Sequence, residues 1–146
     1  MQKIDEGYKQ IVSLQYYKKQ NIELTENSDK TVSIVFSFGD WIELYSTLFT
    51  IEFSEDSNNT ANGIIYKQNL SFTFQGDDKI INTEMSDILN YPLILKLNYQ
   101  DGTSKILGDN QNTCTITKNF KASVIEATHS FLVERMDYKP AAFLSL

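Results

Sequence analysis

The stretch from Thr83 to Asp109, TEMSDILNYPLILKLNYQDGTSKILGD, constrains the fold of this chain most, because its local signals agree with one another. It predicts a short helix over 83–90, a proline stop, a strand, a tight turn and a returning strand. Thr83 can cap the helix, with Glu84 and Asp87 close to its positive end, where carboxylates are favoured. Ile81, Met85, Ile88 and Leu89 form one apolar stripe along it. Pro92 biases Tyr91 away from helical geometry and ends the helix near Asn90. Leu93, Leu95, Leu97 and Tyr99 then recur at period two, with Lys96 and Asn98 opposite. Asp101-Gly102 suits a two-residue type I′ turn, which needs positive φ at both positions. Counted outward from such a turn, Leu97 falls opposite Ile106 on a shared apolar face.

Most of the remaining chain repeats the same period. In YKQIVSLQYY (8–17), Val12, Leu14 and Tyr16 alternate with Ser13 and Gln15. A rival helix through Ile4, Tyr8 and Ile11 contains Gly7, which weakens it by about 1 kcal/mol. Ile22 and Leu24 mark a short edge strand, and ENSDK (26–30) a polar turn. Val32, Ile34, Phe36 and Phe38 share a face; after Gly39-Asp40 and WIELY, Phe49, Ile51 and Phe53 oppose Thr50, Glu52 and Ser54. EDSNNTANG (55–63) is the most loop-like segment and predicts an extended hairpin arm. On the return, Leu70, Phe72 and Phe74 point inward. TCTIT sets Cys114 and Ile116 against threonines, SFLVERM is a long run with indistinct faces, and AAFLSL is a short last strand.

These runs predict a mainly β fold: one antiparallel β-sandwich or barrel-like domain over 1–146, with a single short helix packed across it. A length of 146 residues suits one core, and the N-terminal segment 1–10 could reach a neighbour.

Composition restricts function. The net charge is −6 and Arg135 is the only arginine, so specific nucleic-acid binding by phosphate neutralisation is not expected. A single cysteine, Cys114, excludes an intramolecular disulfide. The N-terminus lacks an apolar signal core and no apolar run reaches membrane-span length, so a soluble protein made inside a cell is expected.

No motif predicts catalysis or a cofactor. His129 is the only histidine, with no nucleophile elbow to serve, and reads as structural. Nothing cationic flanks Cys114 in sequence to activate it. One Cys and one His cannot build a zinc site. Glu55-Asp56, Asp77-Asp78 and Asp109-Asn110 could offer oxygen ligands to calcium but match no EF-hand loop and read as solvated turns. Asp40 with Glu43, or Glu126 with Glu134, would need to converge for glycosidase chemistry, and nothing in the sequence brings them together. The sequons at Asn58 and Asn69 are short enough to be accidental. Trp41, Tyr45, Tyr66 and Tyr138 could form a sugar platform, the alternative being that they fill sheet faces.

Taken together, WIELY, YKQNLSF, a short helix, YPLILKLNYQDGTSKILGD and FLVERMDYKPAAFL resemble small tail or neck proteins of Bacteroidetes phages and prophages, over most of 41–144. The resemblance implies a structural virion protein of the neck, connector or tail tube, made in the bacterial cytoplasm. It implies self-association into a homo-oligomeric ring, contacts with other virion proteins, and no catalytic or cofactor residues. The alternative reading is a non-catalytic carbohydrate-binding β-sandwich module.

Overall fold

The computed structural model describes residues 10–37, 39–44, 51–75, 83, 86, 89–108, 114–122 and 127–145. Its strands are β1 (Ile11–Lys18), β2 (Ile22–Glu26), β3 (Val32–Phe36), β4 (Ile42–Leu44), β5 (Glu52–Thr60), β6 (Gly63–Gln75), β7 (Leu93–Tyr99), β8 (Ser104–Leu107), β9 (Thr115–Ala122), β10 (Ala127–Asp137) and β11 (Ala142–Phe143). Paired strands run antiparallel in a five-stranded sheet, β11-β8-β7-β1-β4, a four-stranded sheet, β5-β6-β10-β9, and a β2–β3 hairpin. The sheets are open, so the architecture is a sandwich and not a barrel. Thr83, Ser86, Leu89 and Asn90, the described residues of the 83–90 stretch, are helical, and Asn90 donates to the Ser86 hydroxyl at 3.1 Å. Ile81, Met85 and Ile88 lie outside the described residues. Among the described residues no helix is long and apolar enough to cross a membrane.

The five-stranded sheet is covered on both faces. One face meets the four-stranded sheet in the main core, where Leu14, Tyr16, Leu93, Leu95, Leu97 and Leu107 pack against Leu70, Phe72, Phe131 and Val133. Phe72 and Phe131, direct partners across β6–β10, stack with centroids 5.0 Å apart. The other face carries Tyr17, Ile94 and Ile106 beneath Ile22, Leu24, Val32, Ile34 and Phe36 of the hairpin. Double coverage explains why neighbours such as Ile94 and Leu95 are both fully buried. The C-terminus ties the layers together: β11 pairs with β8, Leu144 bridges Val32, and the Ser145 N–H donates to the Val32 carbonyl at 2.8 Å.

Three expectations are corrected. The β1 alternation breaks at Val12, which is 44% exposed. Ile11 pairs with Tyr99 and Ser13 with Asn98, so Val12 is the extra residue of a bulge. Ile11 takes the inward place instead and packs on the main core.

The Asp101-Gly102 turn is not type I′. The Gly102 N–H donates to the Tyr99 carbonyl at 3.1 Å and the Tyr99 N–H to the Thr103 carbonyl at 2.9 Å, closing a three-residue loop. Gly102 alone takes positive φ, +90°, the type I turn plus left-handed residue of a G1 bulge. The extra loop residue slips the register by one: Leu97 pairs with Lys105, and Ile106 pairs with Lys96. Leu97 therefore belongs to the main core and Ile106 to the hairpin layer.

Residues 55–63 are paired strand, not loop. β5 runs through Thr60, which pairs with Gly63 around Ala61-Asn62. The Thr60 hydroxyl donates to the Gly63 carbonyl at 2.6 Å. Backbone pairing with β6 needs no apolar side chains, so a polar segment is held extended by its partner. The arm is a two-stranded ribbon, since β10 stops at Asp137 opposite Tyr66 and leaves the rest of β6 paired only to β5.

Candidate functional site

Among the described residues, two of the three buried polar side chains, Gln68 and Arg135, lie along one row of the four-stranded sheet. Glu55, Gln68 and Arg135 stand directly opposite one another on β5, β6 and β10. They fall on the inward phase because Phe53, Leu70 and Val133 occupy the next inward row. Arg135 Nη1 donates to Gln68 Oε1 at 2.8 Å, and Gln68 Nε2 donates to Glu55 Oε2, also at 2.8 Å. The same Glu55 oxygen accepts from the Ala141 backbone N–H at 2.8 Å, and Arg135 Nη2 pairs with the Asp137 carboxylate. Gln68 and Arg135 are both buried, so this hydrogen bonding meets the cost of placing polar groups there. Its evident work is to fix β5 and the C-terminal segment to the sheet.

Neighbouring groups respond to the same surroundings. Burial pushes the Cys114 thiol up to about 12, against a smaller opposing pull from Arg135. Cys114 Sγ contacts the Leu107 carbonyl at 3.8 Å. Tyr99 is raised by burial first, then by the Glu55 and Asp101 carboxylates.

Glu55 also borders a cleft of about 580 Å³ between the two large sheets, at the β5 edge. Ile51, Glu52 and Phe53 line it from one side, and Ile11, Tyr99 and Lys105 from the other. Lys105 Nζ lies 5.8 Å from the Phe53 ring centroid and 5.1 Å from that of Phe143. A carboxylate fixed by two donors through one oxygen keeps acceptor capacity for a cation entering from this edge.

The residues weighed for chemistry are scattered. His129 is 1% exposed on β10, its ring 4.5 Å from that of Phe120. Asp40 Oδ1 accepts from the Trp41 N–H at 2.7 Å, and Glu43 is exposed on β4. Glu134 pairs with Asn69 and Thr115, whereas Glu126 lies outside the described residues. Of the calcium candidates, Glu55 belongs to the buried row and exposed Asp56 follows it on β5; 77–78 and 109–110 lie outside the described residues. Among the described residues no group of three or more His, Cys, Asp or Glu could hold a metal ion. Asn58 and Asn69 are ladder residues of β5 and β6.

Trp41 packs in the hairpin layer, edge-on to Phe36 at 5.3 Å, with Lys96 Nζ 5.6 Å from its ring centroid. Tyr66 is on β6 in the other sheet, Tyr138 is 65% exposed after β10, and Tyr45 lies outside the described residues. Trp41 and Tyr66 therefore do not share a face.

Sequence reasoning did not single out Gln68 or find the row. The available signal was phase: Gln68 falls two residues before Leu70, and Arg135 two after Val133. Family models, curated proteins and solved structures yield no match to this chain.

Proposed function

We propose that this chain is a structural subunit that acts by assembling: a neck, connector or tail-tube component of a tailed bacteriophage, forming a homo-oligomeric ring in the virion. The observation that carries this reading is the pair of long strands at the margins of the four-stranded sheet. β5 and β9 each hydrogen-bond to one neighbour, and among the described residues no further strand covers either edge. Unpaired edges are ready templates for another chain. The β5–β6 ribbon extends one of them past the end of β10, and isolated two-stranded ribbons are marginal in water. A neighbouring subunit is the natural second support for such a ribbon. The interior polar row holds the subunit together and has no part in chemistry on this reading.

Electron microscopy and native mass spectrometry of the purified protein test the proposal. Ring-shaped multimers of one chain are expected, together with the same chain in purified particles. A protein that stays monomeric at high concentration and is missing from particles contradicts it.

A further inference from the structure

We infer that β5 of one copy pairs with β9 of the next, antiparallel, in the register that sets Glu55 against Lys118; this rests on the assembling role proposed above. The two strands are opposite margins of one sheet and run in opposite directions within it. A second copy placed edge to edge in the same sense therefore continues the antiparallel ladder. The contact is head-to-tail, the type that closes into a ring when the rotation between copies allows.

Charge matches the two margins. β5 carries Glu52, Glu55 and Asp56 and no lysine or arginine, whereas β9 carries Lys118 and Lys121 and no carboxylate. Lys118 is opposite Phe131, which puts it on the inward face with Glu55, and it makes no ion pair among the described residues. Inward charges on a sheet margin discourage indiscriminate pairing. Here the two margins carry such charges of opposite sign.

One register satisfies several positions together. With Glu55 opposite Lys118, Phe53 falls opposite Phe120, Ser54 opposite Asn119 and Glu52 opposite position 121, a lysine. The Glu55–Lys118 and Phe53–Phe120 pairs share a face, because the inward row of β5 meets the inward row of β9. Among face-matched registers of these two strands, this one alone sets two carboxylates against two lysines. It also brings together half-buried Phe53 and 43%-exposed Phe120, an aromatic cross-strand pair. The cleft beside β5 receives the inward side chains of the incoming strand, and its lining holds two carboxylates against one lysine.

The stagger fits closure. Within one copy Phe53 aligns with Ile116 through Leu70 and Val133, so pairing with Phe120 of the neighbouring copy advances the ladder four residues over four strands. Equal shear and strand number is the ratio found in the eight-stranded (β/α)8 barrel, whose strands tilt by about 36°.

Cysteine pairs read the register directly. Ser54 and Asn119 are exposed and lie about 20 Å apart within a copy, three strand spacings across and four residues along, too far for an internal disulfide. With diamide as oxidant, Ser54→Cys/Asn119→Cys should give a ladder of covalent oligomers, and each single variant should stop at the dimer. Ser54→Cys/Thr117→Cys, two residues out of register, should give far less product. Lys118→Glu should raise the concentration for half-assembly about tenfold, and Lys118→Arg should leave it nearly unchanged. Assembly with no ladder and no response to Lys118→Glu overturns this interface but leaves the assembling role standing. A wild-type protein that does not assemble, together with a Ser54→Cys/Asn119→Cys variant that does not cross-link, overturns both.

Discussion

Arg135 donates from Nη1 to the side-chain oxygen of Gln68 at 2.8 Å, directly across the β6–β10 ladder, with both residues buried. The only arginine of an acidic chain thus sits inside the sandwich, where it is not available to a phosphate on the surface. Its second nitrogen holds Asp137, and through Gln68 it orients Glu55 beneath the Ala141 amide. The Gln68 and Glu55 links join a strand to its neighbour or to the C-terminal segment, and the Asp137 pair lies within β10.

Arg135→Met is therefore expected to lower stability by about 3–5 kcal/mol, because Gln68 Oε1 loses its donor in a buried site and Asp137 loses its cation. Combining it with Gln68→Leu should cost less than the two single changes added together, since the pair forms one coupled unit. Urea unfolding of the four proteins checks both statements. Strict additivity would show that the row is not a network.

The two three-residue hairpins share their hydrogen bonding and differ at the left-handed position. In the first, the Asn27 N–H donates to the Thr31 carbonyl at 2.8 Å and the Lys30 N–H to the Asn27 carbonyl at 3.0 Å, as Tyr99, Thr103 and Gly102 do in the second. Asp29 accepts from the Thr31 hydroxyl and N–H, and Asp101 from those of Thr103. The left-handed position holds Lys30 at φ +69° in one and Gly102 at +90° in the other. Lys30→Gly should stabilise and Gly102→Ala destabilise, each by about 1 kcal/mol, because a Cβ is disfavoured at positive φ. A Cβ at Gly102 would meet nothing within 4 Å, so that cost is purely conformational. Thermal unfolding of both variants tests the matched pair.

The hydrogen bonds from Thr31, side chain before backbone, hold the Asp29 carboxyl below its ordinary value of 3.8. Its contribution to stability is present above the unfolded value and is lost as pH falls through the lowered folded one. Thr31→Val should move the Asp29 titration, followed by NMR, back toward the ordinary range.

Cys114 carries a prediction at the alkaline end. Its thiol is raised from 9.0 to about 12, so its contribution to stability is complete below pH 9 and is lost as pH rises from there toward 12. In the native state at pH 8 it should react slowly with a thiol reagent and quickly once urea has unfolded the chain. Rapid native reaction would show that the sulfur is open to solvent.

Taken by itself, the sequence determined which segments are extended and where most of them turn. Period two is a local property of the pleat, legible in Leu93, Leu95 and Leu97 or in Val32, Ile34 and Phe36. Only the tertiary structure decided which layer each face meets. Ile94 and Leu95 are adjacent and equally buried, yet one lies under the hairpin and the other under the four-stranded sheet. Register was likewise out of reach: one extra residue in the Gln100-Asp101-Gly102 loop sends Ile106 away from Leu97, and the Val12 bulge inverts the phase of Ile11. Glu55, Gln68 and Arg135 are far apart in the chain, and their row exists only because two ladders place them opposite one another. Alternation states that a residue faces inward; only pairing states what it meets there.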